Sequence, residues 1–499
     1  MVSSRVHPSY WLSSTEESAP PHPPLTGDLA VDAVVVGGGI TGLTTALLLQ
    51  DAGLEVALLE GDRLCANASG FTTAKVTSLH GLTYAGLGAE RAAVYAAANQ
   101  AAIQHIVDLG IDCDLERQDA FTYTTDPDRV GDIEDEVRAA AAAGLPASLV
   151  TGTDLPFDVA AAVRVTDQAM FHPRKFCIGV AERFVSLGGR IHETTRVEKV
   201  HDGRVDIGGG TVTAEHVVVA TLLPIDDAGG FFAKASPHRS YAMAVRIGGD
   251  DVPQGMHLGV DSPTRSVRPL RFDDGSVGLV VGGNGHKVGE GDSEAAYADL
   301  EAWARQTFDV QEVVDRWSAQ DYSPVDGVPF IGRSPRRDNV YVATAFKKWG
   351  MTHSQVAAMI IRDLIAGREN PWASVFDATR GALTTDAVKV NAHVARRLVG
   401  DKVAALFAPQ AETLAPGEAR IVELDGDKVA AFRSEDGELH AVSATCTHLG
   451  CDVHWNPAER SWDCPCHGSR FDCDGLVLEG PATTPLETVT VSVDVRTEK

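Results

Sequence analysis

The chain has 499 residues, 44% of them hydrophobic, and a formal net charge of −26 from 43 Lys+Arg against 69 Asp+Glu. That length exceeds one core and suits two or three domains, and the acidic balance argues against nucleic acid and anionic membrane surfaces as partners. No apolar run reaches the roughly 18 residues of a membrane span, and the opening "MVSSRVHPSYWLSSTEESAPPHPP" lacks the basic-then-apolar pattern of a secretory leader, so the expectation is a soluble, cytoplasmic protein.

Residues 1–30 are rich in Pro and Ser and read as an extended lead-in. "VDAVVVGGGITGLTTALLLQDAGLEVALLEG" (31–61) then gives a β-branched strand, a glycine turn, a helix over Thr41–Gln50 and a second strand ending in Glu60. Within it, Gly37 permits the tight turn, Gly39 lets the backbone approach a pyrophosphate, and Gly42 lets helix and strand pack closely. The helix-start amides around Ile40 and Thr41 face the phosphates, and Glu60, 18 residues after Gly42, suits ribose hydroxyls. A lone glycine motif is weak, but the full strand–turn–helix–strand–acid setting predicts a dinucleotide site.

Helices are predicted near 88–109, 129–143, 174–187, 293–308 and 353–366, and strands at 216–221, 241–247 and 277–283. Pro173 in "FHPRKF" suits a helix first turn, and the alternation is that of an α/β fold. A stretch with the Ala/Pro/Gly texture of a linker spans 401–418. Beyond it, short strands with "DGD" and "EDGE" turns predict a small all-β domain, with a boundary near 410. A second nucleotide fingerprint is absent: "LVVGGNGHKVG" (279–289) has Val288 where the third glycine belongs, which argues against electrons arriving from NAD(P)H.

Five of the eight cysteines lie after residue 445, which points to one local site rather than a disulfide-stapled secreted fold. "CTHLGC" (446–451) sets Cys446 and His448 at C-x-H, and "CPCHGS" (464–469) sets Cys464 and His467 at C-x-x-H. Two thiolates and two imidazoles on two loops can hold zinc or a [2Fe–2S] centre with cysteines on one iron and histidines on the other.

The two-loop pattern resembles a Rieske domain over about 85 residues (411–495). The resemblance implies that Cys446 and Cys464 ligate the buried iron and His448 and His467 the outer one. It also implies a Cys451–Cys466 disulfide, a covering loop at Gly480-Pro481, and a Ser469 hydroxyl bonded to a bridging sulfide. Cys473 has no family role. Phe471 stands where the high-potential type has a tyrosine donor. A lost donor lowers the potential, so the expected value lies below the top of the roughly −150 to +300 mV range. A Rieske cluster moves single electrons, so the rest of the chain should supply or consume them.

Three further stretches distinguish NAD from FAD. "ASGFTTAKVTSLHG" (68–81), "TAEHVVVAT" (213–221) and "DYSPVDGVPFIGRSPRRDNVYVATAFKKWGMTHSQVAA" (321–358) resemble the glycine oxidase/D-amino-acid oxidase family of FAD-dependent oxidoreductases. The resemblance implies an α/β, Rossmann-like FAD-binding domain (about 31–82, 160–235 and 321–370) interleaved with an α+β substrate domain (about 83–159 and 236–320), all within 31–400. It assigns Thr73, Lys75, Val197, Gly350, Met351 and Thr352 to the FAD site beside the glycine-motif residues. It implies an amine- or amino-acid-like substrate and an external electron acceptor, protein or quinone, and it names no obligatory catalytic base because the flavin does the hard step.

Other residues carry two readings each. Lys347 and Lys348, before Trp349, are either solvated lysines or cations over the flavin. His80 is a hydrogen-bonded loop histidine or a covalent flavin anchor, and Cys65 a buried structural thiol. Arg268 and His286 are candidate carboxylate anchors, and Tyr241 is core packing. Two alternatives for the whole are an NAD(P)H-dependent reductase feeding an oxygenase and a non-catalytic redox sensor.

Overall fold

The computed structural model describes residues 7–18, 20–249, 252–381, 414–424 and 426–490. Most of the predicted 401–418 stretch, and residues 382–400 and 491–495 of the predicted domains, lie outside them.

A near-continuous β-branched run needs apolar cover on both faces, and Leu29–Val36 receives it as a central parallel strand. The sheet order is Phe330–Arg333, Val340–Thr344, Gly210–Val219, Leu29–Val36, Val56–Leu59, Arg190–His192. Leu29–Val36 pairs in parallel with both of its neighbours. Helix Ile40–Asp51 is buried from Ile40 through Leu49, threonines included, so it is buried all round rather than on one face. It packs against helix Gly350–Ile365, buried from Met351 through Ile361. Gly37 and Gly350 thereby open onto the same end of the sheet.

The second sheet has nine strands, of which Ala235–Ile247 and Val310–Pro324 pair antiparallel along nearly their whole length. The chain reaches this sheet from the first and returns, so the two are interleaved, as expected of an α/β cofactor domain woven with an α+β partner. The five expected helices form at Ala89–Leu109, Val130–Ala142, Pro173–Ser186, Ser293–Thr307 and Gly350–Ile365. The sequence reading passed over strands Glu116–Thr124, Ala161–Met170 and Val310–Pro324. Val310–Pro324 carries charged and polar residues along most of its length, which masks the period-2 signal of a half-buried strand.

The C-terminal unit is all-β: a three-stranded sheet (Ala419–Leu424, Asp427–Arg433, Leu439–Ser443) and a four-stranded one (His454–Asn456, Ser461–Asp463, Arg470–Phe471, Val477–Glu479). Trp462, Phe471 and the loop cysteines form its core.

The N-terminal lead-in is not merely extended. Tyr10–Ser13 is a short helix, and Trp11 is 1% exposed, packed near Trp317 and over the Arg268 guanidinium. Its indole Nε1 donates to Thr72 O at 2.7 Å. A four-residue helix leaves no periodic signature, which is why the reading missed it. Among the described residues no helix is long and apolar enough to cross a membrane.

Candidate functional site

The glycine turn, the second-strand acid and the Gly350 helix start share one cavity of about 710 Å³. Gly37 has φ +110°, and a Cβ there would meet the Ala220 carbonyl oxygen at 2.6 Å. A Cβ on Gly42 would lie 1.8 Å from the Gly37 oxygen, so only glycine lets the helix approach the strand. Ser69 Oγ accepts the Ile40 N–H at 3.0 Å, completing the turn from the next loop. The Glu60 carboxylate accepts the Gly38 N–H at 2.6 Å and the Asp62 N–H at 2.8 Å. Burial pushes its pKa up, and the Gly38 and Asp62 amides oppose that shift.

At the far end of the cavity, strand Val340–Thr344 runs into a turn in which Ala345, Lys347 and Lys348 all have positive φ. Three such non-glycine residues so close together mark a backbone held against its preference. Both lysines line the cavity, Lys347 half-buried and Lys348 exposed, and desolvation lowers both pKa values. The Lys348 N–H donates to the Asp321 carboxylate, whose pKa burial raises to about 6. His80 also lines the cavity, stacked on Trp349 at 4.6 Å. Its ring nitrogens engage Tyr95 Oη at 2.6 Å and Thr77 O at 2.7 Å, as a hydrogen-bonded loop histidine does.

Of the residues assigned to the cofactor, all line this cavity except Ile40, Gly42 and Thr352. Thr352 Oγ1 instead bonds Thr77 O and His80 Nε2. Lys75 is buried and bonds Thr73 Oγ1 and Ser266 Oγ. Burial, with Arg268 adding repulsion, pulls its pKa down to about 7. Arg268 and His286 lie outside the cavity lining. Arg268 Nε donates to Thr73 O at 2.7 Å, and His286 Nε2 meets Tyr241 Oη at 2.9 Å. Cys65 is not a lone thiol: it is disulfide-bonded to Cys177, 112 residues away, a pairing no spacing rule could reveal. The reading also missed Asp321, Arg196 and the segment Leu478–Thr483 on the cavity wall.

In the C-terminal unit the two cysteine loops share one turn. The carbonyl of each expected ligand cysteine accepts an N–H from a glycine four residues on: Cys446 from Gly450 and Cys464 from Gly468, both at 3.0 Å. Gly450 and Gly468 have φ +75° and +79°, where glycine has no steric penalty. Cys451 and Cys466 form the expected disulfide between the loops. Cys446 and Cys464 are free and buried, and the His448 and His467 rings lie 5.1 Å apart. His448 Nδ1 is buried with no hydrogen-bond partner among the described residues. An orphaned imidazole nitrogen beside two free thiols is the donor set that a two-cysteine, two-histidine centre needs, so the residues fit the cluster. The nucleotide cavity, with its glycine turn and two helix N-termini, likewise fits a dinucleotide cofactor.

The cluster loops face the larger unit. His448 Nε2 lies 3.0 Å from Asp227 Oδ1, and the Phe232 ring stands edge-on to both histidines. Tyr322 Oη donates to His467 O, and Gln320 Nε2 to Gly468 O, both at 2.7 Å. Buried Arg239 pairs with Asp463, and Tyr297 Oη donates to Glu459 at 2.9 Å.

Comparison with known proteins agrees with this geometry. The family described as FAD dependent oxidoreductase matches residues 32–364, and the Rieske [2Fe-2S] domain matches residues 405–490. The Rieske 2Fe-2S iron-sulfur protein YhfW of Bacillus subtilis (strain 168) is 37% identical over 501 residues, spanning 96% of this chain and 97% of that one. Glycine oxidase from Geobacillus kaustophilus superposes with a TM-score of 0.60 at 19% identity, over 71% of this chain and 99% of that one. L-proline dehydrogenase from P. horikoshii gives 0.58 at 16%, over 71% and 98%. At those identities the likeness shows the fold. The chain belongs to the FAD dependent oxidoreductase family and carries a C-terminal Rieske domain, binding FAD in the first and a [2Fe-2S] cluster in the second.

Proposed function

We propose that the protein is a dehydrogenase that oxidises an amine- or amino-acid-like substrate and sends the electrons out through its own cluster to an external one-electron acceptor, a protein or a quinone. The carrying observation is the docking of the cluster histidines on the flavoprotein unit. Tyr322 donates its hydroxyl to His467 O, while its own carbonyl accepts the Lys347 N–H at 3.0 Å, so one residue touches both the cluster loop and the turn beside the cavity. The fold shared with glycine oxidase and L-proline dehydrogenase is compatible with that substrate class.

Bound FAD supplies a two-electron acceptor for the substrate carbon, and the cluster supplies a one-electron exit. The chain's own residues bind, orient and move protons. Lys75 Nζ, held by the Ser266 and Thr73 hydroxyls on the cavity wall, takes a proton from the substrate ammonium. That leaves a neutral amine, which on losing its carbon-bound hydride becomes an iminium ion that water hydrolyses to a carbonyl and ammonium. The turn at Lys347–Trp349 and the His80 ring against it fix the wall of the cavity. The chemistry removes two electrons and two protons per substrate, so two oxidised acceptors are consumed.

The test is anaerobic. Purified protein is mixed with primary, secondary and N-methyl amines and amino acids, and separately with NADH and NADPH, while flavin absorbance and the low-temperature EPR signal of the reduced cluster are followed. The reading expects an amine to bleach the flavin, after which the cluster signal grows. Bleaching by NADH alone would make the protein a reductase feeding an oxygenase. Reduction by dithionite alone would make it a redox sensor.

A further inference from the structure

The wall of the FAD cavity is not made by the flavoprotein unit alone. Leu478, Glu479, Gly480, Ala482 and Thr483 of the Rieske domain line the same cavity as Gly37 and Glu60. Strand alternation explains how. Val477 and Glu479 are buried on either side of Leu478 in strand Val477–Glu479. Val477 packs in the Rieske core, so Leu478 points the other way, to the cavity.

The contact is fastened at both ends. Arg196 Nη2 donates to Val477 O at 3.0 Å. The same guanidinium lies against Gly61, where a Cβ would sit 3.2 Å from Cζ. Arg196 therefore bridges the residue after Glu60 and the Rieske strand. Ile225, itself on the cavity wall, lies where a Cβ on Gly480 would meet it at 3.6 Å. On the cluster side, the Ala482 N–H donates to Ser469 Oγ at 3.0 Å, five residues after Cys464, and Glu479 pairs with Arg470 at 3.1 Å.

We propose that segment Val477–Thr483 of the Rieske domain is part of the FAD-binding site, covering the ribose–diphosphate stretch that begins at Glu60, so that FAD is held by both domains and the two cofactors reinforce each other's retention. A ligand that binds a composite wall stabilises both parts of it, and the coupling is reciprocal. The docked Rieske domain then does more than relay electrons: it closes the cofactor site.

The experiment uses the full chain. Deflavinated protein is titrated with FAD and the quenching of FAD fluorescence gives Kd, with the cluster's visible and EPR spectra recorded on the same samples. Leu478→Asp, which sets a carboxylate beside a diphosphate, is expected to raise Kd by about tenfold or more, and Leu478→Met to leave it within about twofold. In the unaltered protein, saturating FAD is expected to raise the midpoint temperature of cluster loss, followed by its visible absorbance, by roughly 2–4 °C. Tight FAD binding by Leu478→Asp with its cluster intact, or a cluster-loss midpoint indifferent to FAD, overturns the proposal. Should Leu478→Asp fail to assemble its cluster, the midpoint of the unaltered protein decides alone.

Discussion

Lys75 shows how burial turns an ordinary residue into a candidate base. An amine in water is protonated at neutral pH. Here burial and Arg268 bring the pKa down to about 7, so the neutral form able to accept a proton grows as pH rises through that value. Substrate-driven flavin reduction is therefore expected to climb from pH 6 to 8 and then level off. Lys75→Met should flatten that limb and slow the step by about 10²–10⁴-fold, the range for one positioned base, in anaerobic stopped-flow traces. An unchanged pH profile would reduce Lys75 to a packing residue. Nothing in "TTAKVT" marks this lysine as a base, because its depressed pKa comes from burial in the folded chain and from Arg268, some 190 residues away in sequence.

Element-level features divide by the range of the forces that make them. The glycine turn and both cysteine loops were legible because their requirements are local: positive φ, a missing Cβ, a ligand every few residues. Gly42 is the sharpest case. Gly42→Ala would place a methyl 1.8 Å from the Gly37 oxygen, and backbone on both sides cannot yield cheaply. The helix must shift, at about 1–3 kcal/mol, and its N-terminal amides leave the phosphate path. The variant should purify with a markedly lower ratio of flavin to protein absorbance, while the cluster EPR signal shows that the Rieske domain has folded. Full flavin occupancy would contradict the packing role. By contrast, the Cys65–Cys177 link, the Trp11 helix and strand Val310–Pro324 depend on partners far along the chain. The spacing that reveals a metal loop says nothing about them.

At the scale of the whole molecule, the two units meet through the groups that do the chemistry. His448 and His467 have side chains closed off by Phe232 and Asp227, and the His448 side chain is 6% exposed. Asp227 belongs to the flavoprotein unit, yet its carboxylate lies 3.0 Å from Nε2 of His448, an expected iron ligand. A cluster gains negative charge on reduction, so a nearby carboxylate holds the potential down, adding to the missing donor at Phe471. Because Asp227 is nearly half exposed, its effect is screened to on the order of 1 kcal/mol. For one electron that is roughly 40 mV, since a tenfold change in equilibrium is 59 mV. Asp227→Asn keeps an oxygen acceptor for the imidazole and removes only the charge. It should raise the midpoint of the Rieske signal by about that amount in an EPR-monitored redox titration, leaving the flavin potential alone. The same substitution should do nothing if the cluster domain spends its time away from the flavoprotein surface. A measured shift therefore reports that the docked arrangement, in which one residue's hydroxyl reaches the cluster loop and its carbonyl the flavin-side turn, is the state populated in solution.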